Sequence, residues 1–325
     1  MPEPTELTGV MPPWPNLIER LDQQQWAKPA LFVVATPIGN LTDLSLRAWY
    51  ALRLADVIAA EDTRTSQALL QAWHIDTPLL AAHRHNERAA TAAILRRLEA
   101  GERVALISDA GAPAVSDPGG QLVQDVRQAG FDVVAIPGAS AVITALMATG
   151  VTTDAQPSFA FLGFLPPRQA ARERVLRRWQ VADTALVIYE APHRIADLLR
   201  DLSHVFGQTR QVSLARELTK RFEQTVTIAL GDAANWLKAD RHREQGEYVV
   251  LVHAPPTVAA STDDEDRDDL WQSAQRQAWM QALLSVLSTR DAAKVMSKAL
   301  GAPKDECYAQ LLAHSRQRDG GLDAE

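Results

Sequence analysis

Three short turns, each directly after an apolar run, carry the residues best placed for chemistry. They are Thr36-Pro37-Ile38-Gly39-Asn40; Ser108-Asp109-Ala110-Gly111-Ala112-Pro113, continuing into Ser116-Asp117-Pro118-Gly119; and Pro137-Gly138-Ala139-Ser140-Ala141. A turn at the carboxyl end of a parallel strand presents bare backbone N–H and C=O groups, and open α/β sheets bind ligands at such turns. Three of them would gather backbone polar groups and one or two carboxylates around a common crevice. His83, His85 and Glu87 form a second group, either hydrogen bonding near that crevice or packed at a helix start. No further ligand cluster lies near them in sequence, so no metal is expected.

Several chemistries drop out on spacing. Only Gly39 stands in the first turn, so the G-x-G-x-x-G dinucleotide fingerprint is missing. Gly138-Ala139-Ser140-Ala141-Val142 lacks the last glycine of a nucleophile elbow, and neither a Walker loop nor His-Glu-x-x-His occurs.

The elements that must position these turns alternate as in an α/β fold. Strands are expected at Leu31–Ala35, Val57–Ala60, Leu79–Ala82, Val104–Ile107 and Val133–Ile136. Helices are expected at Leu44–Leu54, Arg64–Trp73, Glu87–Ala100, Gly119–Ala129 and Ala139–Ala148. After the turn-rich Gly150–Pro157, strands recur at Phe159–Leu165, Ala185–Tyr189, Gln211–Ala215, Glu223–Leu230 and Tyr248–His253. Only Arg168–Trp179 and His193–Phe206 read as helices between them, so the later strands should pair antiparallel in a mixed sheet. The tail Leu270–Leu287, Asp291–Leu300 and Lys304–Ala313 reads as a small helical bundle of helix-turn-helix outline, with Ser288 and Asp291 spaced as a capping box. It serves either packing and dimerisation or nucleic-acid contact. The expected division is an N-terminal extension 1–28, α/β domains 29–149 and 150–254, an acidic linker 255–269 and the helical tail 270–325.

Composition limits the class. A chain of 325 residues, 46% hydrophobic and 22% charged, is globular and long enough for two cores. No apolar run approaches the ~20 residues that span a bilayer, and no signal peptide opens the chain, so a cytoplasmic protein with no membrane partner is expected. The single Cys307 excludes an internal disulfide. The net charge of −7 opposes binding to a phosphate backbone, yet residues 263–269 alone carry six acids against Arg267. In contrast, Arg168, Arg172, Arg174, Arg177 and Arg178 face only Glu173 in an eleven-residue stretch, either a solvated helix face or a phosphate-binding one.

Together with Ala60-Glu61-Asp62-Thr63-Arg64, His85-Asn86-Glu87, Gly163-Phe164-Leu165-Pro166 and Ala215-Arg216-Glu217-Leu218-Thr219-Lys220, the three turns resemble the ribosomal RNA small subunit methyltransferase I family of the tetrapyrrole-methylase superfamily. The similarity runs in order from about Leu31 to His253. It implies a two-domain α/β methyltransferase, working as a homodimer and binding S-adenosylmethionine between its domains. The implied substrate is the ribose 2′-hydroxyl of a decoding-region cytidine in 16S ribosomal RNA, within the small ribosomal subunit.

Carried over by motif, the cofactor contacts would be Pro37, Ile38, Gly39, Asp109, Ala112, Ser140, Ala141, Tyr189 and Ala215. Ala112 stands where this branch usually has threonine, so a hydroxyl contact is lost there. Catalysis would draw on His85 as base, Glu87 to orient it, and Arg194 or Lys220 to stabilise negative charge. Arg168, Arg172, Arg174 and Arg178 would grip RNA phosphates. The competing readings are a methyltransferase acting on a tetrapyrrole or a protein side chain, and a non-catalytic ribosome-assembly factor.

Overall fold

The computed structural model describes residues 14–83, 86–255, 279–300 and 303–319. The chain divides into two compact units, one ending at Pro255 and the other starting at Pro256. Within the described residues of the first unit lie two five-stranded sheets.

The first sheet is parallel throughout and ordered β3-β2-β4-β1-β5, built from β1 (Ala30–Val34), β2 (Val57–Ala60), β3 (Leu79–Ala81), β4 (Arg103–Ile107) and β5 (Asp132–Ile136). The central strands read as continuous apolar runs because helices cover both faces. Ala30 and Phe32 pack into one core with Leu52 and Ile58, whereas Leu31 packs into another with Ile94 and Leu122. The order places β4 and β5 on either side of β1. The turns that follow these three strands therefore stand side by side, at the point where the chain switches direction across the sheet.

Helix starts follow local chemistry. The Ser45 hydroxyl accepts the Ala48 N–H at the head of α2 (Leu46–Leu54), and the Asp62 carboxylate accepts the Arg64 N–H at the head of α3 (Thr63–Ala72). That serine cap splits the expected Leu44–Leu54 helix from a separate 3-10 turn at Leu41–Asp43. α4 (Glu87–Glu99) and α5 (Gly120–Gln128) complete the first layer. The described part of the N-terminal extension holds a helix the sequence reading did not anticipate, α1 (Trp14–Asp22). It leads to Trp26, whose ring stacks on Tyr50 and meets Phe32 edge-on.

α6 (Ala141–Thr149) joins the halves. Val142, Ala145 and Leu146 share a core with Val187, Ala215, Val249 and Leu251 of the second sheet. That sheet is mixed, ordered β6-β7-β10-β8-β9 from β6 (Phe159–Phe164), β7 (Ala185–Glu190), β8 (Gln211–Arg216), β9 (Gln224–Ala229) and β10 (Tyr248–Val252). β6 and β7 are parallel and the other pairs antiparallel, as the scarcity of intervening helices implies. On its other face pack α7 (Gln169–Arg177), α8 (Ile195–Phe206) and the short α9 (Ala233–Lys238), the last absent from the sequence reading.

The second unit is described by residues 279–286 (α10), α11 (Thr289–Leu300) and α12 (Lys304–Asp319). Met280, Ala292, Ala293, Met296, Cys307 and Leu311 form its core. The capping box is present: Ser288 Oγ accepts the Asp291 N–H and donates to Asp291 Oδ2. Nearly all of the expected acidic linker, and residues 270–278 of the first tail helix, lie outside the described residues. Among the described residues no helix is long and apolar enough to cross a membrane.

Candidate active site

The turn after β1 and the turn after β4 are tied to each other. Thr36 N–H donates to the Gly111 carbonyl at 2.8 Å, and Gly111 N–H donates back at 3.1 Å. The buried Thr36 hydroxyl adds a bond to the Ser108 carbonyl at 3.1 Å. Gly111 holds φ of +81°, and a Cβ on it would stand 3.3 Å from Ile38 Cγ2, so the turn needs glycine on both counts. Further along, Ala114 and Ser116 also have positive φ, a cost that their surroundings must hold in place. The third turn closes in at Gly138, where a Cβ would meet Ala35 at 3.0 Å.

These turns face the strand ends of the second sheet across a cavity of about 340 Å³, within the size range of small-molecule sites. Its walls are Ile38 and Ala110–Ala112, the head of α6 at Ser140 and Ala141, and Tyr189–Pro192, Ala215, Leu218 and Glu247–Val249, with Val115–Asp117 and Phe164 at the mouth. Asp117, Glu190 and Glu247 are among the lining residues, and none of the described lining residues is basic. Burial pushes the Tyr189 phenol up, against a hydrogen bond from the Val142 backbone. Burial also pushes Tyr248 up to about 12, its hydroxyl donating to the Arg243 carbonyl.

Six of the nine expected cofactor residues line this cavity: Ile38, Ala112, Ser140, Ala141, Tyr189 and Ala215. Pro37 and Gly39 belong to the same turn but do not line it. Asp109 points elsewhere, its carboxylate accepting the Asp62 N–H at 3.0 Å and so linking the turn after β4 to the one after β2. Asp117, Phe164, Glu190, Leu218 and Glu247 line the cavity without having been singled out as contacts. Three of them, Asp117, Phe164 and Leu218, lie inside motifs already marked, so their neighbours' spacing is the available signal.

The proposed catalytic groups are placed differently. His85 lies outside the described residues. Glu87 accepts the Gly119 N–H at 3.2 Å, bracing the Ser116–Gly119 turn from behind. Arg194 donates to the Leu165 carbonyl at 2.8 Å and lies 3.1 Å from the Glu190 carboxylate, whose side chain is fully buried. Its guanidinium thus holds backbone and does not reach the cavity.

Lys220 bridges Glu217 at 3.1 Å and Glu247 at 2.7 Å, while its stem crosses Gly39 so closely that a Cβ there would lie 2.6 Å from Lys220 Cγ. This is a clasp between the two halves. Burial alone would lower the Lys220 pKa, but the Glu247 and Glu217 carboxylates hold it above the usual lysine value. Burial alone would likewise raise Glu217, but the Glu247 N–H and Lys220 hold it below the usual carboxylate range. A depressed carboxylate stabilises the fold above its unfolded pKa of 4.5 and loses that contribution as pH falls through its folded value. The thermal midpoint of the wild type should therefore exceed that of Glu217→Gln by most at neutral pH, the gap shrinking steadily below pH 4.5. A gap that ignores pH would remove the charge from the clasp.

Arg172 requires a correction. It was expected to grip phosphate, but its guanidinium is buried against Asp201 at 2.6 Å and donates to the Pro167 carbonyl. Arg168, Arg174 and Arg178 are exposed. Glu173, the lone acid of the stretch, is taken up by His204, Gln169 and Arg177. Among the described residues no group of His, Cys, Asp and Glu side chains is placed to hold a metal ion.

An all-parallel sheet joined through one helix to a mixed sheet, with a cavity at the strand ends between them, is the build of a class of methylases. The family model for tetrapyrrole (corrin/porphyrin) methylases matches residues 30–234. Among solved structures the fold is shared with the methyltransferase CobJ (TM-score 0.53, 20% identity, 72% of this chain and 98% of that one). It is shared also with uroporphyrin-III C-methyltransferase from Thermus thermophilus crystallised with S-adenosylhomocysteine (TM-score 0.50, 18% identity, 69% of this chain and 97% of that one). Two relatives bear the name ribosomal RNA small subunit methyltransferase I. The Pseudomonas aeruginosa protein is 43% identical over 290 residues, 89% of this chain and 98% of its own, and the Haemophilus influenzae protein 39% over 284 residues, 87% and 96%. The chain belongs to the ribosomal RNA small subunit methyltransferase I family, within the tetrapyrrole methylases.

Proposed function

We propose that this protein transfers the methyl group of S-adenosylmethionine to small-subunit ribosomal RNA, at the ribose 2′-hydroxyl of a cytidine in the decoding region. The cavity between the sheets carries the reading. None of its described lining residues is basic, and Asp117 adds a carboxylate to those of Glu190 and Glu247, which pair with Arg194 and Lys220; this suits a ligand bearing a sulfonium and an α-ammonium cation. Its backbone turns suit ribose hydroxyls and adenine, and the first N–H groups of α6, opening beside Ser140, suit a carboxylate. The names of the relatives support ribosomal RNA as the methyl acceptor.

On this reading Ile38, Ala112, Ser140, Ala141, Tyr189 and Ala215 touch the cofactor, while Pro37, Gly39 and Asp109 shape the turns behind them. Arg168, Arg174 and Arg178 offer exposed charge to RNA phosphates. The sulfur–methyl bond breaks with its electron pair kept by sulfur, the 2′-oxygen bonds the methyl group, and the hydroxyl proton passes to an acceptor. His85 is the proposed acceptor, two residues before Glu87 and its contact with the turn at the cavity mouth. Alignment does most of the rest, since effective molarities on the order of 10⁵ M or more are available to well-positioned reactants.

The test supplies methyl-labelled S-adenosylmethionine with small ribosomal subunits lacking the modification, with free 16S RNA and with a tetrapyrrole precursor, and maps the label by nuclease digestion and mass spectrometry. Label on a cytidine ribose is the expected result, abolished or strongly slowed in His85→Ala. Label on the tetrapyrrole alone would overturn the assignment while keeping the cofactor site. An unchanged rate in His85→Ala would remove that residue as proton acceptor.

A further inference from the structure

Phe164 is 60% exposed at the mouth of the cavity, an unusual place for a large apolar ring in a strand. Strand geometry alone does not put it there. Residues three apart in a regular strand point to opposite faces, so Phe161 and Phe164 should diverge. The pairing of β6 on β7 slips between Phe161 and Gly163, so that Phe161 stands opposite Val187, Gly163 opposite Ile188 and Phe164 opposite Tyr189. The extra residue brings both rings against Tyr189, Phe161 at 4.9 Å and 68° and Phe164 at 5.5 Å and 60°. Bulges re-aim side chains in this way beside functional sites.

The bulge is held from both halves of the unit. Gly163 sits at φ of +63°, and a Cβ on it would stand 2.9 Å from Ser116 Oγ on the opposite turn. Just beyond the ring, Arg194 fixes the Leu165 carbonyl while Glu190 fixes Arg194. Phe164 is thus backed by Tyr189, anchored on both sides in sequence, and open on its outer face. The inner walls at Ala215, Leu218 and Val249 are buried, so the exposed ring of Phe164 marks the open side of the cavity.

We propose that Phe164 is a stacking platform for the pyrimidine base of the nucleotide whose ribose receives the methyl group. This rests on the function proposed above. A nucleotide in structured RNA must leave its stack to bring its ribose to a cavity between two sheets, and an aromatic face replaces the lost stacking without reading charge. Arg168, four residues further on in sequence, is exposed and offers a charge to a flanking phosphate. Arg194 and Glu190 are positioning residues for the platform.

The test compares wild type, Phe164→Ala and Phe164→Tyr on unmethylated small subunits, with the cofactor Kd measured separately by calorimetry. Loss of one base–aromatic stack corresponds to roughly 5- to 150-fold. Phe164→Ala should lose that factor in kcat/KM for subunits, chiefly through KM, with an unchanged cofactor Kd and a thermal midpoint lowered only by the lost contact with Tyr189. Phe164→Tyr should restore it to within about threefold of wild type, because the face is retained. A weakened cofactor Kd would overturn the proposal by making the ring a cofactor contact, and unchanged kinetics in Phe164→Ala would overturn it outright. Wild-type enzyme that binds cofactor yet labels no ribosomal RNA would remove the function and the platform's ligand together, an outcome visible before any variant is made.

Discussion

Arg172→Ala is expected to cost about 3–5 kcal/mol of stability, because it leaves the buried Asp201 carboxylate without its partner. The pair is closed to solvent on both sides, with side-chain exposures of 4% and 1%. Water cannot replace the lost donor in such a place, which separates this pair from exposed ones such as Arg200–Asp197. The double variant Arg172→Leu with Asp201→Leu should lose much less than the sum of the single losses, since it buries no orphan charge. Denaturant melts of the three variants measure this directly. Arg174→Ala supplies the contrast: its stability should stay within about 0.5 kcal/mol of wild type, while the salt dependence of RNA affinity falls by about one phosphate contact. A stable Arg172→Ala protein with a reduced salt slope would reverse the two assignments and return Arg172 to the RNA surface.

The burial of Arg172 is legible in the helix period. Residues 172 and 176 lie four apart on α7, and both Arg172 and Leu176 are buried, so the helix period already placed this arginine on the apolar face. A count of arginines along the stretch carries no information about the face. The crevice was more legible, because each turn follows an apolar run and carries its own Gly or Pro; strand order alone then makes the turns neighbours. Partners distant in sequence were not legible. Glu217 stands three residues from Lys220 and suggests an ion pair, but Glu247 reaches it only because β8 and β10 pair.

α6 shows a further limit. Its apolar run is consistent with a buried helix, yet nothing in its periodicity says that it lies against the second sheet. Gly163, in contrast, is a legible signal, since a glycine inside a strand pattern often marks a bulge. That bulge is what turns Phe164 to the cavity mouth.

The second large effect concerns the floor of the cavity, and the protein contains its own control. Gly111 and Gly101 have nearly the same backbone angle, φ of +81° and +82°, but a Cβ at Gly101 meets nothing within 4 Å whereas one at Gly111 meets Ile38. Valine at either position carries the strain of a β-branched residue in the left-handed region, about 1–3 kcal/mol of stability. That cost is common to both variants. Only Gly111→Val also forces apart the turns after β1 and β4, which hold each other through the paired hydrogen bonds of Thr36 and Gly111. Because Ile38 and Ala112 flank that pairing and both line the cavity, the cofactor should bind at least about tenfold more weakly to Gly111→Val, a loss of 1.4 kcal/mol or more. Gly101→Val should bind it as wild type does. Calorimetric titration with S-adenosylhomocysteine, beside thermal melts, separates the two effects. Equal affinities in the two variants would mean that the bridge between the turns contributes to folding alone, and the cofactor would then have to be held chiefly by α6 and the strand ends of the second sheet.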